Sequence, residues 1–342
     1  MTCSRDACQH YRLQRFPVRQ TPLLILAYNR ADKARGLVDA LREFAPPLVL
    51  VVVDGPKPGS AADAARVQAV RDVVSEIDWD AEVQTRFRPT NVGLRSSVSD
   101  AVSWAVELYG QVIVIEDDAI PGPYFIPYAE HMLEAYRDDE RIMHISGYNL
   151  VAHENLGHPN AANRLSRYPE SYAWATWDRA WRYYDDDLGW AGAFRLGDLR
   201  AATGSRWAAL RWRFNFLDAR AGRISTWAYR WVASIWSHEG LCLNPNANLV
   251  GYFGQEDGTH TVMKPSWKEL PLYDGPLEWL LAKDAVLDEM ADGWVNRVVF
   301  AGTPYGAARG VLISVALHVR KQSRARRALR SAAQVGANTS GE

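Results

Sequence analysis

The feature that most constrains this chain is an alternation in its first 150 residues. Uninterrupted apolar runs are separated by amphipathic stretches, and polar groups close most of the runs. "TPLLILAYNR" (21–30) is a β-rich run ending at Asn29 and Arg30, followed by the helical pattern "ADKARGLVDALREF". "PPLVLVVVDGPKPG" (46–59) is an apolar strand, then Asp54, then a Gly/Pro turn. A helix is expected over about 60–77 and a strand over 81–87. "NVGLRSSVSDAVSWAVELYG" (91–110) reads as a turn and a helix with Leu94, Val98, Ala101, Val102 and Ala105 on one side. "QVIVIEDD" (111–118) is the next strand, with a helix at roughly 122–137 and a strand at 141–149. Strands apolar along their whole length, alternating with helices, imply a mostly parallel sheet covered on both faces. Ligands of such sheets bind beyond the carboxyl ends of the strands. Asn29, Arg30, Asp54 and Glu116–Asp118 all fall at those ends, so one cleft can gather them.

"VIVIEDDAI" (112–120) poses the sharpest physical problem. Three adjacent carboxylates, Glu116, Asp117 and Asp118, stand at the mouth of the core. Like charges this close repel, and burying them is costly unless a cation compensates. A hard divalent ion, Mg²⁺ or Mn²⁺, takes oxygen ligands. With phosphate substrates it uses one or two carboxylates plus the phosphates. The competing reading makes Asp117 or Asp118 the cap of the helix near 122.

Other patterns narrow the chemistry. No G-x-G-x-x-G follows the first strand, and "GPKPGSAAD" lacks the G-K-[ST] of a P-loop. "HENLGH" spaces His153 and His158 five apart, which does not put both on one helix face, so it reads as a loop. Cys3, Cys8 and His10 are irregularly spaced in a polar N-terminal stretch, a poor match for a metal site. "NTS" (338–340) is a sequon in a polar stretch and carries no weight in a cytoplasmic protein. With 342 residues, 48% of them hydrophobic, the chain can bury a sizeable core. Its formal net charge of −1 gives no global attraction for nucleic acid. Three cysteines do not make a disulfide framework, which points to a reducing compartment. No apolar run reaches the length of a membrane span, and the opening residues have no signal-peptide pattern. The expectation is a soluble cytoplasmic protein. The basic segment "VRKQSRARRALRSAAQ" (319–334), with six Lys/Arg, is either a solvated helix face or a peripheral contact with the inner membrane face. The stretch from about 150 is rich in Trp, Tyr and Arg. Its tryptophans read either as ordinary core or as the walls of a sugar-binding pocket.

Taken together, these residues resemble the GT-A glycosyltransferases, in particular N-acetylglucosaminyltransferase I and bacterial family 2-like sugar transferases. "PLLILAYNRADKARGLVDAL" is similar to their opening strand and helix, and "VIVIEDDAIPGPYFIPY" to their E-D-D strand and following helix. "YAWATWDRAW" resembles their Trp-rich segment, and "NLVGYFGQEDGTHT" (248–261) resembles their segment ending in Thr and His. The similarity covers roughly 20–265. It implies a GT-A fold with helices on both faces of the sheet, a Trp-rich acceptor side and a C-terminal helical extension. The implied organisation is an N-terminal tail (1–19), a nucleotide-sugar half (20–150), an acceptor half of the same domain (151–270) and an extension with a basic helix (271–342).

The resemblance implies a hexosyl or N-acetylhexosaminyl transfer from a nucleoside-diphosphate sugar, UDP-linked by preference, to a glycan or lipid-linked hydroxyl in polysaccharide assembly. It puts Ala27, Asn29, Arg30, Asp54, Arg95, Glu116 and Asp117 on the donor, with Arg30 at the phosphates and Asp54 at the base. Asp118 would be the metal ligand, with His260 near the metal or diphosphate. Trp174, Trp177, Trp227 and Trp231 would line the acceptor side. In the family an acid follows a Trp in a W-D-x-x-W-like stretch and serves as the base. Here "TWAYRW" puts Ala228 after Trp227, so Glu239, Glu256 and Asp257 become the candidate bases, and inversion or retention stays open. Two alternatives remain. A sugar nucleotidyltransferase would need a Gly-rich first loop, which "AYNRADK" lacks. A nucleotide- or glycan-binding module would have lost its chemistry with the acid at 228.

Overall fold

A computed structural model describes residues 21–252, 270–283, 285–314 and 316. A nine-stranded sheet runs through the whole of it. In chain order the strands are β1 (Leu23–Ala27), β2 (Leu48–Val53), β3 (Glu82–Phe87), β4 (Gln111–Glu116), β6 (Ile142–Ser146), β7 (Asn163–Ser166), β8 (Ala173–Trp177), β9 (Leu241–Pro245) and β11 (Val286–Leu287). Their spatial order is β11-β7-β9-β6-β8-β4-β1-β2-β3. A separate two-stranded ribbon joins β5 (Ala119–Pro121) to β10 (Val250–Tyr252).

Strands β3, β2, β1 and β4 form the expected parallel quartet. β1 and β2 are buried at every position, as strands covered on both faces must be. β3 is the exception: as the edge strand it is largely exposed, which its sequence "EVQTRF" tolerates. The linking helices are α1 (Ala31–Arg42), α2 (Ala61–Ser75) and α3 (Leu94–Tyr109). α1 buries Ala34, Leu37, Val38 and Leu41, the stripe of an amphipathic helix. α3 stops at Gly110, whose φ of 78° suits glycine. α4 (Phe125–Ala135) follows the ribbon strand β5.

Beyond β4 the sheet becomes mixed. β8 runs antiparallel between β4 and β6, β6 and β9 are parallel, and β7 is antiparallel to β9. Even β11, inside the expected extension, pairs with β7, so both halves share one sheet.

β8 carries the first correction. "AWATW" is a central strand, and all its residues are buried. Trp174 and Trp177 are core residues, not walls of an acceptor pocket. Trp227 and Trp231, at the start of α8 (Ala228–Ser237), are buried too. Trp174 stacks on Trp227 at 5.2 Å and lies 5.7 Å from Trp181, which lies 4.8 Å from Trp231. The physical reason is area: a helix laid on a central strand buries its largest rings there. Between these lie α5 (Asp178–Trp181), α6 (Leu196–Thr203) and α7 (Arg206–Arg220). α9 (Leu277–Leu280) and α10 (Glu289–Val298) follow, and a further helix covers 304–314. No helix among the described residues is long and apolar enough to cross a membrane.

Candidate functional site

The carboxyl ends of β1, β2 and β4 form one rim. Parallel pairing puts Leu26 beside Glu116 and Ala27 beside Val53. The Asp117 N–H then donates to the Leu26 carbonyl and the Asp54 N–H to the Ala27 carbonyl, both at 3.0 Å. Arg30, just past β1, reaches back across this rim. Its Nη2 donates to Asp117 Oδ1 and, at 3.0 Å, to Asp118 Oδ2. In the ligand-free chain the compensating cation is therefore Arg30. One guanidinium faces three carboxyls, and Glu116 and Asp117 are both weakened as acids. Burial, aided by the charges of Asp118 and Asp117, pushes Glu116 up to about 8. Burial pushes Asp117 up to about 6, against the pull of Arg30. No described residue donates a hydrogen bond to Glu116, and none donates to Asp118 Oδ1.

The capping alternative fails. The residue preceding α4 is Tyr124, and no side chain caps that helix. Strand β5 separates the acids from it. The antiparallel ribbon places Tyr252 opposite Ala119, so the chain leaves β10 one residue from Asp118. Glu256, Asp257 and His260 follow in sequence and lie outside the described residues. So do Cys3, Cys8, His10 and the basic segment 319–334.

Asp54 occupies the predicted strand end but not the predicted role. Its buried carboxylate accepts from Gly55 N–H at 2.8 Å, Asn91 Nδ2 at 2.9 Å, Val92 N–H at 3.0 Å and Gly93 N–H at 3.1 Å. Four internal donors fill a carboxylate, which corrects its expected use as the reader of the base. It clamps the 91–93 turn against β2 instead. Gly55 is obligatory there, since a Cβ would meet the Thr90 backbone at 2.4 Å.

Asp63 is the residue that sequence reasoning missed. It is buried in the first turn of α2 and accepts from Tyr28 Oη at 2.6 Å, Asn29 Nδ2 at 2.7 Å, Lys57 N–H at 2.8 Å and Arg66 Nη2 at 3.1 Å. The Lys57 N–H foremost, then Tyr28, hold its carboxyl well below the usual range. The signal was "SAAD": the Ser60 side chain caps Asp63 N–H, the Ser-x-x-Asp start of a helix. Asn29, expected on the donor, spends its amide N–H on Asp63.

The acid candidates on the acceptor side are also reordered. Glu239 is exposed, with φ 53°, one residue before Gly240 and β9. β9 starts level with Ile142, the first residue of β6. Glu239 therefore sits at the amino ends of the up-running strands, opposite to Asp117 and Asp118, which corrects its candidacy as the base. The start of α8 lies towards the other end, since Trp227 stacks on Trp174 and Trp174 pairs with Val114. The acid brought to that start is Asp186. It faces Arg230 Nε at 3.4 Å and Arg95 Nη2 at 3.5 Å. Arg230 is itself buried, and donates to the carbonyls of Asp186 at 2.6 Å, Thr226 at 2.8 Å and Ala219 at 3.0 Å. "YYDDDLG" holds three candidate acids, and nothing in its spacing singles out Asp186.

No protein-family model matches the chain, and no curated protein does. Among solved structures it is similar to the mannosyltransferase PcManGT from Pyrobaculum calidifontis in complex with GDP-Man and Mn²⁺. The identity is 13% and the TM-score 0.32, over 96% of this chain and 90% of that chain. At that level the likeness carries no weight for what this chain does.

Proposed function

We propose that the chain is a metal-dependent glycosyltransferase of GT-A type. It would move a sugar from a nucleoside-diphosphate donor to a hydroxyl of a glycan or lipid-linked acceptor. The observation that carries this reading is the convergence of Arg30, Asp117 and Asp118 at the carboxyl ends of β1 and β4. A dinucleotide or triphosphate site would need a glycine-rich turn after β1, and "AYNRADK" has none.

The residues present suit a divalent cation shared with the substrate. Asp118 keeps an oxygen with no described donor, and Glu116 keeps its whole carboxylate. No described group of three His, Cys, Asp or Glu could hold an ion unaided, so the remaining ligands would come from the diphosphate or from the segment that follows Tyr252. Asp118 would hold the ion, and bound Mn²⁺ or Mg²⁺ would supply charge stabilisation at the departing diphosphate. Arg30 would turn from Asp117 and Asp118 to the phosphates and donate to their growing negative charge. Arg95, on the first turn of α3, would add a second cation. Glu116 and Asp117 would face the sugar and ribose. Among described residues, Asp186 is the carboxylate placed to accept the acceptor's proton at the start of α8, where Ala228 offers only a methyl group. Glu256 and Asp257 are the other proposed bases, and His260 the proposed neighbour of the diphosphate.

The deciding experiment is calorimetric titration of UDP and GDP into the protein, with and without Mn²⁺, repeated on Asp118→Asn. Metal-dependent binding of one nucleotide, lost in the variant, is the expected result and names the donor base. Binding of neither overturns the reading.

A further inference from the structure

Strand β3 ends the sheet on one side, and among the described residues no strand lies beyond it. Its pairing with β2 uses alternate residues. The Glu82 N–H donates to the Pro47 carbonyl at 2.8 Å and the Arg88 N–H to the Val53 carbonyl at 3.0 Å. Glu82, Gln84, Arg86 and Arg88 therefore turn their peptide groups to β2. Val83, Thr85 and Phe87 turn their N–H and C=O groups to the open edge. No described backbone group bonds to them there. The opposite end of the sheet is β11, with two residues, too short to template another strand.

Edge strands are usually blunted by Lys, Pro or a bulge. "EVQTRF" has neither residue, and its register with β2 is unbroken from Glu82 to Phe87. Its side chains sort by face. Gln84 Nε2 donates to Tyr109 Oη at 2.8 Å, the Arg86 guanidinium lies 4.0 Å from the Trp104 ring, and Arg88 donates to Asp100 at 3.2 Å. The even positions thus lie on the α3 side. Phe87 lies on the other face, 5.3 Å from the Arg71 guanidinium of α2. Val83 and Phe87 remain 38% and 37% exposed.

This edge is its own complement. A second copy turned antiparallel about Thr85 sets Phe87 opposite Val83, Arg88 opposite Glu82 and Arg86 opposite Gln84, with Thr85 meeting itself on the axis. The outward residues then make the hydrogen-bonded pairs, which exchange both N–H···O bonds. Apolar pairs and opposite charges are the favourable cross-strand neighbours. A parallel copy in register would set Glu82 against Glu82 and Arg86 against Arg86, which repel. An unrelated strand has no reason to match Glu82 and Arg88 at the two ends; a second copy matches both.

We propose that the protein forms a two-fold dimer through β3, joining the nine-stranded sheets of two copies edge to edge. The pairing is isologous and uses the long edge of each copy, so it closes at two instead of growing into a filament. The inference is independent of the transferase reading.

The test is sedimentation velocity of the full chain over a concentration series, joined to disulfide trapping. The expected result is a concentration-dependent dimer. Thr85→Pro should abolish it and leave the fold intact, because the Thr85 N–H gives nothing to β2 and an edge strand tolerates proline there. Glu82→Arg, which faces the partner's Arg88 with a like charge, should weaken the dimer at least tenfold. It also serves if Thr85→Pro melts early. In a chain carrying Cys3→Ser and Cys8→Ser, Thr85→Cys should crosslink on oxidation. Opposed Cα atoms in such a pair stand about 5.5 Å apart, within the roughly 4.4–6.8 Å that a disulfide spans. Val83→Cys, set opposite Phe87 and away from its own copy, should not crosslink. Three results would overturn the proposal: a monomer at every concentration, a dimer unmoved by both Thr85→Pro and Glu82→Arg, or Val83→Cys crosslinking as readily as Thr85→Cys. Slow amide exchange at Val83, Thr85 and Phe87 in a monomer would assign the edge to another segment of the same chain instead.

Discussion

The Tyr28 hydroxyl donates to Asp63 at 2.6 Å, across a separation of 35 residues, and so ties the loop bearing Arg30 to the first turn of α2. The Tyr28 N–H in turn donates to Asp117 at 3.4 Å. One residue thus touches the carboxylate cluster with its backbone and the anchor of its loop with its side chain. Asp63→Ala is expected to lower the melting temperature and to weaken metal-dependent nucleotide binding about 10- to 100-fold, the usual scale for removing the support behind a ligand. Tyr28→Phe, which removes only the hydroxyl, should fall between. Unchanged nucleotide affinity in Asp63→Ala would show that Arg30 needs no such anchor.

Among the described residues, Arg30 is the one cation paired with Asp117 and Asp118. Its replacement by Ala is expected to lower kcat/KM about 10²- to 10³-fold, the scale of losing one donor to a developing charge. The same variant should melt earlier than wild type without Mn²⁺ and gain more from added Mn²⁺, because its carboxylates then lack any other compensation. Thermal melts across a Mn²⁺ series measure this directly.

Asp186 and Glu239 separate cleanly. Asp186→Asn is expected to reduce kcat about 10²- to 10⁴-fold, as for a lost general base, with nucleotide affinity little changed. Glu239→Gln, at the far end of the sheet, should behave as wild type. If Glu239→Gln alone were inactive, the placement of the acceptor at the start of α8 would be wrong.

Trp231 donates its indole N–H to His144 Nδ1 at 3.2 Å inside the core. Trp231→Phe is expected to cost about 1–3 kcal/mol, since it leaves the His144 acceptor buried and unpaired. Urea unfolding measures this, and the acceptor KM should not move. A raised KM with no loss of stability would restore these tryptophans to an acceptor wall.

His144 gives a pH signature. Indole only donates, so His144 Nδ1 accepts and its proton sits on Nε2, 3.4 Å from the Glu170 carbonyl. Burial pushes this imidazole down to about 3 from an ordinary 6.5. Between those values the unfolded chain binds the proton and the folded chain does not. The stability that follows is complete above pH 6.5 and is lost as pH falls towards 3, by at most about 1.4 kcal/mol per pH unit. Glu170, pushed up to about 7 by burial, slopes the other way as it protonates. The difference between wild type and His144→Gln removes that contribution, and the His144 slope should vanish from the variant.

Much of the first half was legible in the sequence because its elements are decided locally. Fully apolar strands, a helical stripe and the residue at each strand end follow from side-chain periodicity, and they predicted Arg30, Asp117 and Asp118 on one rim. What each polar group does there depends on what else arrives. Asp54 is filled by donors 37 to 39 residues away, at Asn91, Val92 and Gly93. Asp63, which the sequence did not single out, anchors Tyr28 and Asn29. The tryptophans after 170 were open to two readings, and burial on β8 and under α8 chose core.

The sequence by itself determined a parallel α/β quartet with its carboxylates at one edge, since period and polarity are properties of neighbouring residues. Only the tertiary structure decided which carboxylates have oxygens with no described donor and that Asp186 lies against Arg230 of α8. Those outcomes depend on contacts between distant segments, and no local spacing encodes which donors, rings or charges those segments bring.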